Sequence, residues 1–210
     1  MVSGNIPLQE KIIMPAGKKY KLKEGRELPQ SETYALCRCG KSKNAPFCDG
    51  SHKFSVFDGT ETASKDNYTH RAKLIKGPGV NMLDDHRCAL GRFCHRDNGN
   101  AWELTHNSDD AENKSEAIQA AVECPAGRLT AVEKTGALIE LSLEPAVYIV
   151  QDPEKDSSAG IFVQGNIPIE SSEGGIYEIR NRVALCRCGK SSNKPFCDGT
   201  HCSVKYLDKL

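Results

Sequence analysis

Residues 36–52 read LCRCGKSKNAPFCDGSH, and residues 185–201 read LCRCGKSSNKPFCDGTH. Each copy places three cysteines and one histidine within sixteen residues, with the spacing C-x-C-x8-C-x3-H. Thiolates and imidazole bind zinc, copper and iron–sulfur clusters, whereas calcium and magnesium prefer oxygen ligands. Each copy therefore predicts a metal site built from one short loop.

The spacing of the first two cysteines helps to choose between the metals. Structural zinc sites usually take their cysteines from C-x2-4-C pairs, and the single-residue C-x-C spacing here is shorter. The spacing favours an iron–sulfur cluster and leaves zinc open. Asp49-Gly50 follows Cys48, and an aspartate there can cap a short helix that carries His52. Such a cap would direct the imidazole towards the metal.

Both copies resemble the CDGSH iron–sulfur domain of the mitoNEET family, whose pattern C-x-C-x2-[ST]-x3-P-x-C-D-G-[ST]-H they match at every defined position. The resemblance implies a [2Fe-2S] cluster held by three cysteines and one histidine. Cys37 and Cys39 would bind one iron, and Cys48 and His52 the other. In the second copy the implied ligands are Cys186, Cys188, Cys197 and His201.

Composition indicates one or two ordinary soluble domains, since 38% of the 210 residues are hydrophobic and 27% are charged. Residues 1–7 show no basic segment followed by an apolar run, and no stretch approaches eighteen apolar residues. We therefore expect a cytoplasmic protein without a membrane tether, although the best-known members of the resembled family are membrane-tethered dimers. Most of the ten cysteines have ligand-like spacings, so reduced metal ligands are expected rather than disulfides.

Charge is unevenly distributed along the chain. Residues 1–57 carry 10 Lys and Arg against 5 Asp and Glu, residues 58–160 carry 11 against 18, and residues 161–210 carry 7 against 5. The basic ends and the acidic middle could pack on each other or attract partners, or could be solvated faces with no specific role.

The repeat is longer than the cysteine motif, because Gly4-Asn5-Ile6-Pro7 and Gly165-Asn166-Ile167-Pro168 precede the two copies. Short alternating runs at Lys19–Leu22 and Ile176–Ile179 predict strands. We expect an α+β fold in which modules 1–57 and 161–210 pair as an internal pseudo-dimer, with residues 58–160 as an inserted ferredoxin-like domain. A single module buries little apolar surface, so pairing is expected. A homodimer of the whole chain is the rival arrangement.

Periodicity within the middle segment predicts its elements. Apolar positions on one face predict a helix over residues 113–123, ended by Cys124-Pro125. Alternation predicts strands over residues 69–76, 128–132, 137–143 and 147–150, with a hairpin turn at 134–136. Residues 152–158 are predicted to be a linker.

Three further cysteines suggest a third centre. Cys88-x5-Cys94 followed by Cys124-Pro125 resembles a single-cluster bacterial ferredoxin in which Gly91 occupies the second cysteine position. That resemblance implies a [3Fe-4S] cluster, with His86 or His95 as a conceivable substitute ligand. The alternative is a ferredoxin-like fold that has lost its cluster and keeps buried cysteines. Cys202 has no counterpart in the first copy and is expected to be a free thiol.

Two tasks fit such sites: one-electron transfer between redox partner proteins, and storage or transfer of a cluster to an apo-protein acceptor. No nucleophile with a base, paired carboxylates or phosphate-binding loop is evident, so an enzyme is not expected. The other class considered is a zinc-stabilised interaction module. Binding of nucleic acid is not expected, because only 6% of residues are aromatic and the net charge is zero.

Overall fold

The computed structural model describes residues 1–208 of the chain. Within that range it contains thirteen β-strands, four α-helices and two turns of 3-10 helix. The strands are β1 Val2–Ser3, β2 Leu8–Ala16, β3 Lys19–Glu24, β4 Thr33–Tyr34, β5 Lys73–Ile75, β6 Asn81–Asp84, β7 His95–Arg96, β8 Gly99–Asn100, β9 Leu129–Val132, β10 Leu138–Ile139, β11 Ala146–Asp152, β12 Ser157–Gln164 and β13 Arg182–Leu185. The α-helices are α1 Tyr68–Arg71, α2 Ala101–His106, α3 Ala111–Val122 and α4 Thr200–Ser203, and the 3-10 turns are Ser51–Lys53 and Pro153–Lys155. The expected α+β class is confirmed.

A five-stranded sheet joins the two ends of the chain. Its order is β13-β12-β11-β2-β3, and β2 pairs with β11 in parallel, with Leu8 opposite Val147. The other neighbours in this sheet are antiparallel. The predicted linker at residues 152–158 is therefore wrong: it is the tight connection between β11 and β12, with Asp156 in the left-handed region at φ 48°. Its polar composition resembled a linker, yet Ser157 and Ser158 are buried strand residues.

The internal repeat extends to backbone pairing. In the first copy Val2 pairs with Tyr34, and in the second Val163 pairs with Val183. Each pairing is followed by a glycine and an asparagine with positive φ, and the asparagine angles are 56° at Asn5 and 58° at Asn166. The strand predicted at 19–22 is confirmed within β3. The strand predicted at 176–179 is wrong, because only a single bridge joins Glu170 to Ile176.

One apolar core underlies this sheet and both motif loops. It contains Leu8 of β2, Ile149 of β11, Ile161 of β12 and Phe196 of the second motif loop. Phe47 of the first motif loop is half-buried and packs against the same core. Burial of apolar surface contributes about 25 cal/mol per Å², so the shared core ties both loops to one scaffold.

The middle segment forms a second layer. Its four-stranded sheet has the order β10-β9-β6-β5, and α2 and α3 pack on it through a core that includes Ala117, Ala121 and Leu129. Helix α3 confirms the predicted helix, with the Asp110 side chain accepting from the Asn113 amide at its start. The strand predicted at 69–76 is wrong in its first half, because Tyr68–Arg71 form a helical turn held by the buried Tyr68 ring.

The remaining middle elements agree with the sequence pattern. Strands β9 and β11 fall within or beside the predicted ranges, and residues 134–136 form the turn between β9 and β10. The strand predicted at 137–143 is wrong over most of its length, because only Leu138–Ile139 pair with β9. Among residues 1–208, no helix has the length and apolar character needed to cross a bilayer. The domain boundaries at 57/58 and 160/161 and the pseudo-dimer stay predictions.

Candidate metal centres

Each motif loop brings its four predicted ligands together as two pairs. In the first loop the sulfurs of Cys37 and Cys39 are 3.6 Å apart, and the Cys48 sulfur lies 3.6 Å from His52 Nδ1. In the second loop the sulfurs of Cys186 and Cys188 are 3.9 Å apart, and the Cys197 sulfur lies 3.4 Å from His201 Nδ1. The same ligand types thus pair in the same way in both copies.

These separations fit two metal atoms with two protein ligands each. A tetrahedral metal with metal–sulfur bonds of about 2.3 Å holds its sulfurs roughly 3.7 Å apart. Across residues 1–208 no three His, Cys, Asp or Glu side chains converge as a single metal ion would need. The two pairs in each loop therefore suit a binuclear group.

The fold of each loop is fixed by its aspartate and serine. One carboxylate oxygen of Asp49 accepts from the Lys43 amide and the other from the Ser51 amide, so it links the two halves of the first loop. These hydrogen bonds, led by the one from Lys43, hold the pKa of Asp49 well below its usual range. The Ser42 hydroxyl donates to the Phe47 carbonyl. Ser42, at the first [ST] position of the motif, therefore helps to hold the loop in shape.

The second loop repeats these contacts. Asp198 accepts from the amides of Ser192 and Thr200, and the Ser191 hydroxyl donates to the Phe196 carbonyl. Burial alone would raise the pKa of Asp198, but hydrogen bonds from Thr200 and Ser192 lower it to about 2. The predicted aspartate N-cap is wrong, because Gly50 and Gly199 occupy the N-cap positions. Each aspartate instead precedes the N-cap and accepts from the amide two residues later.

The two loops pack against each other through their glycines. Gly40 and Gly189 have positive φ angles of 70° and 74°, which favour glycine. A Cβ atom on Gly40 would lie 2.6 Å from the Cys188 carbonyl oxygen, and one on Gly189 would lie 2.6 Å from that of Cys39. The contact is reciprocal, so each glycine lies against a ligand residue of the other loop.

The two sites differ in burial. His52 is exposed and Cys48 is half-buried, whereas His201 is 2% exposed and Cys197 is buried. Burial lowers the pKa of His201 to about 4 and raises that of Cys197 to about 12. A bound metal would have to replace the proton of the Cys197 thiol.

The paired thiols also respond to their surroundings. In the second loop the contact between the two sulfurs lowers the pKa of Cys186 and raises that of Cys188. In the first loop burial raises the pKa of Cys39. One thiol of the second pair therefore ionises more readily than an ordinary cysteine, which favours metal capture.

A clasp over the second site was not foreseen from the sequence. Arg187, between the two ligand cysteines, is fully buried and forms an ion pair with Asp208 near the end of the chain. The Tyr206 amide donates to the His201 carbonyl, and the Ser158 amide donates to the Tyr206 carbonyl. The first loop has Arg38 at the equivalent position, with a buried Nε that lacks a partner within the described residues. Tyr206, which has no tyrosine counterpart after the first motif, was the available signal, because an aspartate follows both motifs.

The middle cysteines gather around one cavity. Cys88, Cys94 and Cys124 line it together with Gly91 and Pro125. Burial, followed by the proximity of Cys124 and Cys88, raises the pKa of Cys94 to about 11, and burial raises that of Cys124. The three thiols therefore border one cavity, although within residues 1–208 they do not converge closely enough to share a single metal ion.

The two histidines considered for this centre lie elsewhere. His86 Nδ1 is 3.8 Å from an Asp84 oxygen, and the His95 ring packs edge-on against Tyr20. Neither lines the cysteine cavity. Cys202 is half-buried, with its sulfur 3.8 Å from the Ser157 hydroxyl.

Known protein families match both kinds of segment. The family described as iron-binding zinc finger, CDGSH type, matches residues 1–53 and 159–202. The family described as divergent 4Fe-4S mono-cluster matches residues 75–134. No solved structure matches the chain.

Two curated relatives match a short stretch. The mouse protein called CDGSH iron-sulfur domain-containing protein 3, mitochondrial, is 64% identical over 28 residues, which cover 13% of this chain and 20% of that protein. The human protein of the same name is 61% identical over 28 residues, covering 13% and 22%. The chain thus matches only about a fifth of either relative's length. The two ends are CDGSH iron-binding segments that flank a divergent 4Fe-4S mono-cluster segment, and the chain is an iron–sulfur protein of this combined type.

Proposed function

We propose that this iron–sulfur protein carries single electrons between protein partners through two [2Fe-2S] clusters. The observation that supports it best is the reciprocal packing of the two motif loops, each with one pair of thiols and one thiol–imidazole pair. The proposed ligands are Cys37, Cys39, Cys48 and His52 in the first site and Cys186, Cys188, Cys197 and His201 in the second. A bound [2Fe-2S] cluster would supply one-electron chemistry.

The chain's own residues would set the properties of each site. A neutral imidazole in place of a thiolate leaves the site one charge less negative, which favours adding an electron and raises the potential above that of an all-cysteine site. His52 and His201 must be deprotonated at Nδ1 to act as ligands, because that nitrogen faces the cysteine sulfur. No substrate turnover by the chain itself is part of this proposal.

The internal pseudo-dimer belongs to the same proposal. It is supported by the matched pairing of β1 with β4 and of β12 with β13, and by the reciprocal glycine contacts. Such pairing places the two sites side by side in one chain. A monomer would then contain the arrangement that two chains provide in a dimer.

A third cluster is proposed for the middle segment. The cavity lined by Cys88, Cys94 and Cys124 offers three thiols, which suits a [3Fe-4S] cluster. The match of residues 75–134 to a 4Fe-4S mono-cluster family supports a cluster of this general type. A loaded middle centre would favour electron transfer, because the chain would then contain three redox centres.

Metal analysis of anaerobically purified protein tests the proposal. About seven irons per chain are expected, from two sites with two irons and one with three, and about four if the middle is empty. Cys37→Ser with Cys48→Ser should remove about two irons, as should the matched pair Cys186→Ser with Cys197→Ser. About two zinc ions with no acid-labile sulfide would overturn the proposal in favour of a zinc-stabilised interaction module.

A second candidate function, donation of a cluster to an apo-protein, is favoured by the exposure of His52. Incubation with an apo-ferredoxin, followed by separation and iron counting, measures it. Transfer of about two irons, lost in the Cys37→Ser, Cys48→Ser variant and kept in the Cys186→Ser, Cys197→Ser variant, would establish donation from the first site. Iron retained by the wild-type chain would refute it.

A further inference from the structure

A cavity of about 570 Å³ lies where the two motif loops meet the end of the chain. Its wall includes Gly40 and the ligand residue Cys188, so it reaches both loops at their contact. The elements around it come from the first loop, the second loop and residues 204–208. Any molecule in this cavity would lie directly against the backbone that carries the proposed cluster ligands.

Four lysines surround this cavity. Lys41 and Lys43 come from the first loop, Lys190 from the second loop and Lys205 from the end of the chain, and all four are exposed. Among the described residues, the ammonium groups of Lys41, Lys43 and Lys190 have no carboxylate within 4.0 Å, whereas Lys205 lies 3.4 Å from an exposed Asp156 oxygen. The single acidic residue in the wall, Asp208, is buried and paired with Arg187. The rim is therefore strongly positive.

Apolar residues line the same cavity. Val204 and Leu207 line it and are 48% and 60% exposed, and the Tyr206 ring packs beside Gly40. Apolar residues inside a charged rim are typical of protein docking surfaces, in which the centre gives affinity and the rim steers association. Nucleic acid is a poorer fit, because no array of exposed aromatic rings for base stacking accompanies the lysines within this cavity.

We propose that this cavity, with its rim of Lys41, Lys43, Lys190 and Lys205, is the docking surface for an acidic redox protein. The partner presents carboxylates to the lysines and apolar side chains to Val204 and Leu207. The inference rests on the electron-carrier function and names its partner class. One electron passes from the partner's reduced centre to an oxidised cluster of this chain, and no covalent bond forms or breaks.

Association with an acidic flavodoxin tests the surface. In oxidised protein mixed with oxidised flavodoxin no electron can flow, so calorimetry measures docking alone. We expect binding that weakens as salt rises, and a dissociation constant at least tenfold higher when Lys41→Glu and Lys190→Glu are combined. The matched control combines Lys23→Glu with Lys76→Glu, two exposed lysines outside this cavity, and should change the constant less than twofold. Equal weakening by both pairs, or no binding by the wild type, would overturn the docking proposal.

Electron transfer is measured separately by stopped flow. Flavodoxin hydroquinone becomes the semiquinone as it gives one electron to an oxidised cluster. We expect this rate to fall at least tenfold in the Lys41→Glu, Lys190→Glu variant, whereas the rate with the methyl viologen radical cation stays equal or rises. Iron content and melting temperature equal to wild type show that the variant is intact.

The outcomes separate the two proposals. Lysine-dependent binding without any reduction by flavodoxin or viologen would retain the docking surface and refute the carrier function. Reduction by flavodoxin at rates independent of the lysines would retain the carrier function and refute the docking surface. Leu207→Ser should weaken binding without altering its salt dependence, because it removes apolar contact and no charge; an altered salt dependence would contradict the assigned apolar centre.

Discussion

The two CDGSH segments hold the same ligand types in the same pairs, yet their surroundings differ. The first site has an exposed histidine, and the second has one that is 2% exposed. The residues after each motif contribute to the difference, together with β12 and Leu90, which pack against the second loop only. After the second motif the chain turns back, and Asp208 pairs with Arg187. After the first motif it projects outward, and Phe54 and Val56 are 93% and 100% exposed.

This contrast separates two properties of a metal loop. The motif itself determines which ligands pair, since the aspartate and serine contacts are the same in both copies. The segment that follows helps to determine how far solvent reaches the pairs. Four predictions test this separation.

Breaking the ion pair between Arg187 and Asp208, which forms the clasp over the second site, should have the largest effect. Asp208→Asn leaves Arg187 buried without its carboxylate, and breaking such a pair costs about 3 kcal/mol or more. We expect the free energy of unfolding of the iron-loaded protein, measured by urea, to fall by that amount. Asp58→Asn, at an exposed aspartate after the first motif, is the control and should leave the urea midpoint unchanged. Equal midpoints for all three proteins would show that the clasp does not hold the second site.

The second largest effect should be the different rates at which the two sites lose their visible absorbance in acid. At about pH 5, where most free histidine is protonated, the visible absorbance should decay in two phases. The phase from the first site should be at least about tenfold faster, because protons from solvent reach the exposed His52 directly. His52→Cys should remove the fast phase, and His201→Cys should leave it. A single phase in the wild type would mean that burial does not control lability.

Asp198→Asn should cost about 1 kcal/mol of stability at pH 7, since it weakens the hydrogen bonds that close the second loop. The pKa of Asp198 is lowered to about 2 in the folded chain, below the unfolded value of about 3.9. Its contribution is therefore complete above about pH 4 and disappears as the pH falls through about 2. Urea unfolding at a series of pH values measures it. A difference between wild type and variant that grows on acidification would contradict this assignment.

The smallest effect concerns the apolar residues after each motif. Val204→Ser with Leu207→Ser should lower stability by roughly 1 kcal/mol, because both side chains are about half-buried. The matched change of Phe54→Ser with Val56→Ser should leave the melting temperature unchanged, because these side chains have no packing to lose. A lower melting temperature in the second variant would mean that the first segment also packs against the protein.

The sequence predicted features that depend on local pattern. The spacing of apolar residues located α3, and the repeated motif anticipated that Cys37, Cys39, Cys48 and His52 come together. The three middle cysteines meet at one cavity, as their ferredoxin-like spacing suggested. Each of these follows from residues close in sequence or from a motif that requires convergence.

Features that depend on distant partners were missed. Nothing in residues 152–158 indicates that they connect two central strands, because the parallel pairing of β11 with β2 involves residues about 140 positions apart. The burial of Arg187 was equally hidden, since a charged residue is expected at the surface until its carboxylate partner is known. The equivalent Arg38 in the first copy has no such partner among residues 1–208, so comparing the two copies did not indicate that Arg187 is buried.

The parallel pairing of β2 with β11 also affects how the protein is made. Asp152, the last residue of β11, follows His52 by 100 residues. At synthesis rates of roughly 5–20 residues per second, the ribosome completes the first cysteine loop about 5–20 s before the strand that anchors its scaffold. During that interval the thiols of Cys37, Cys39 and Cys48 have no finished sheet behind them. The loop that is synthesised first therefore gains its supporting sheet only in the second half of translation.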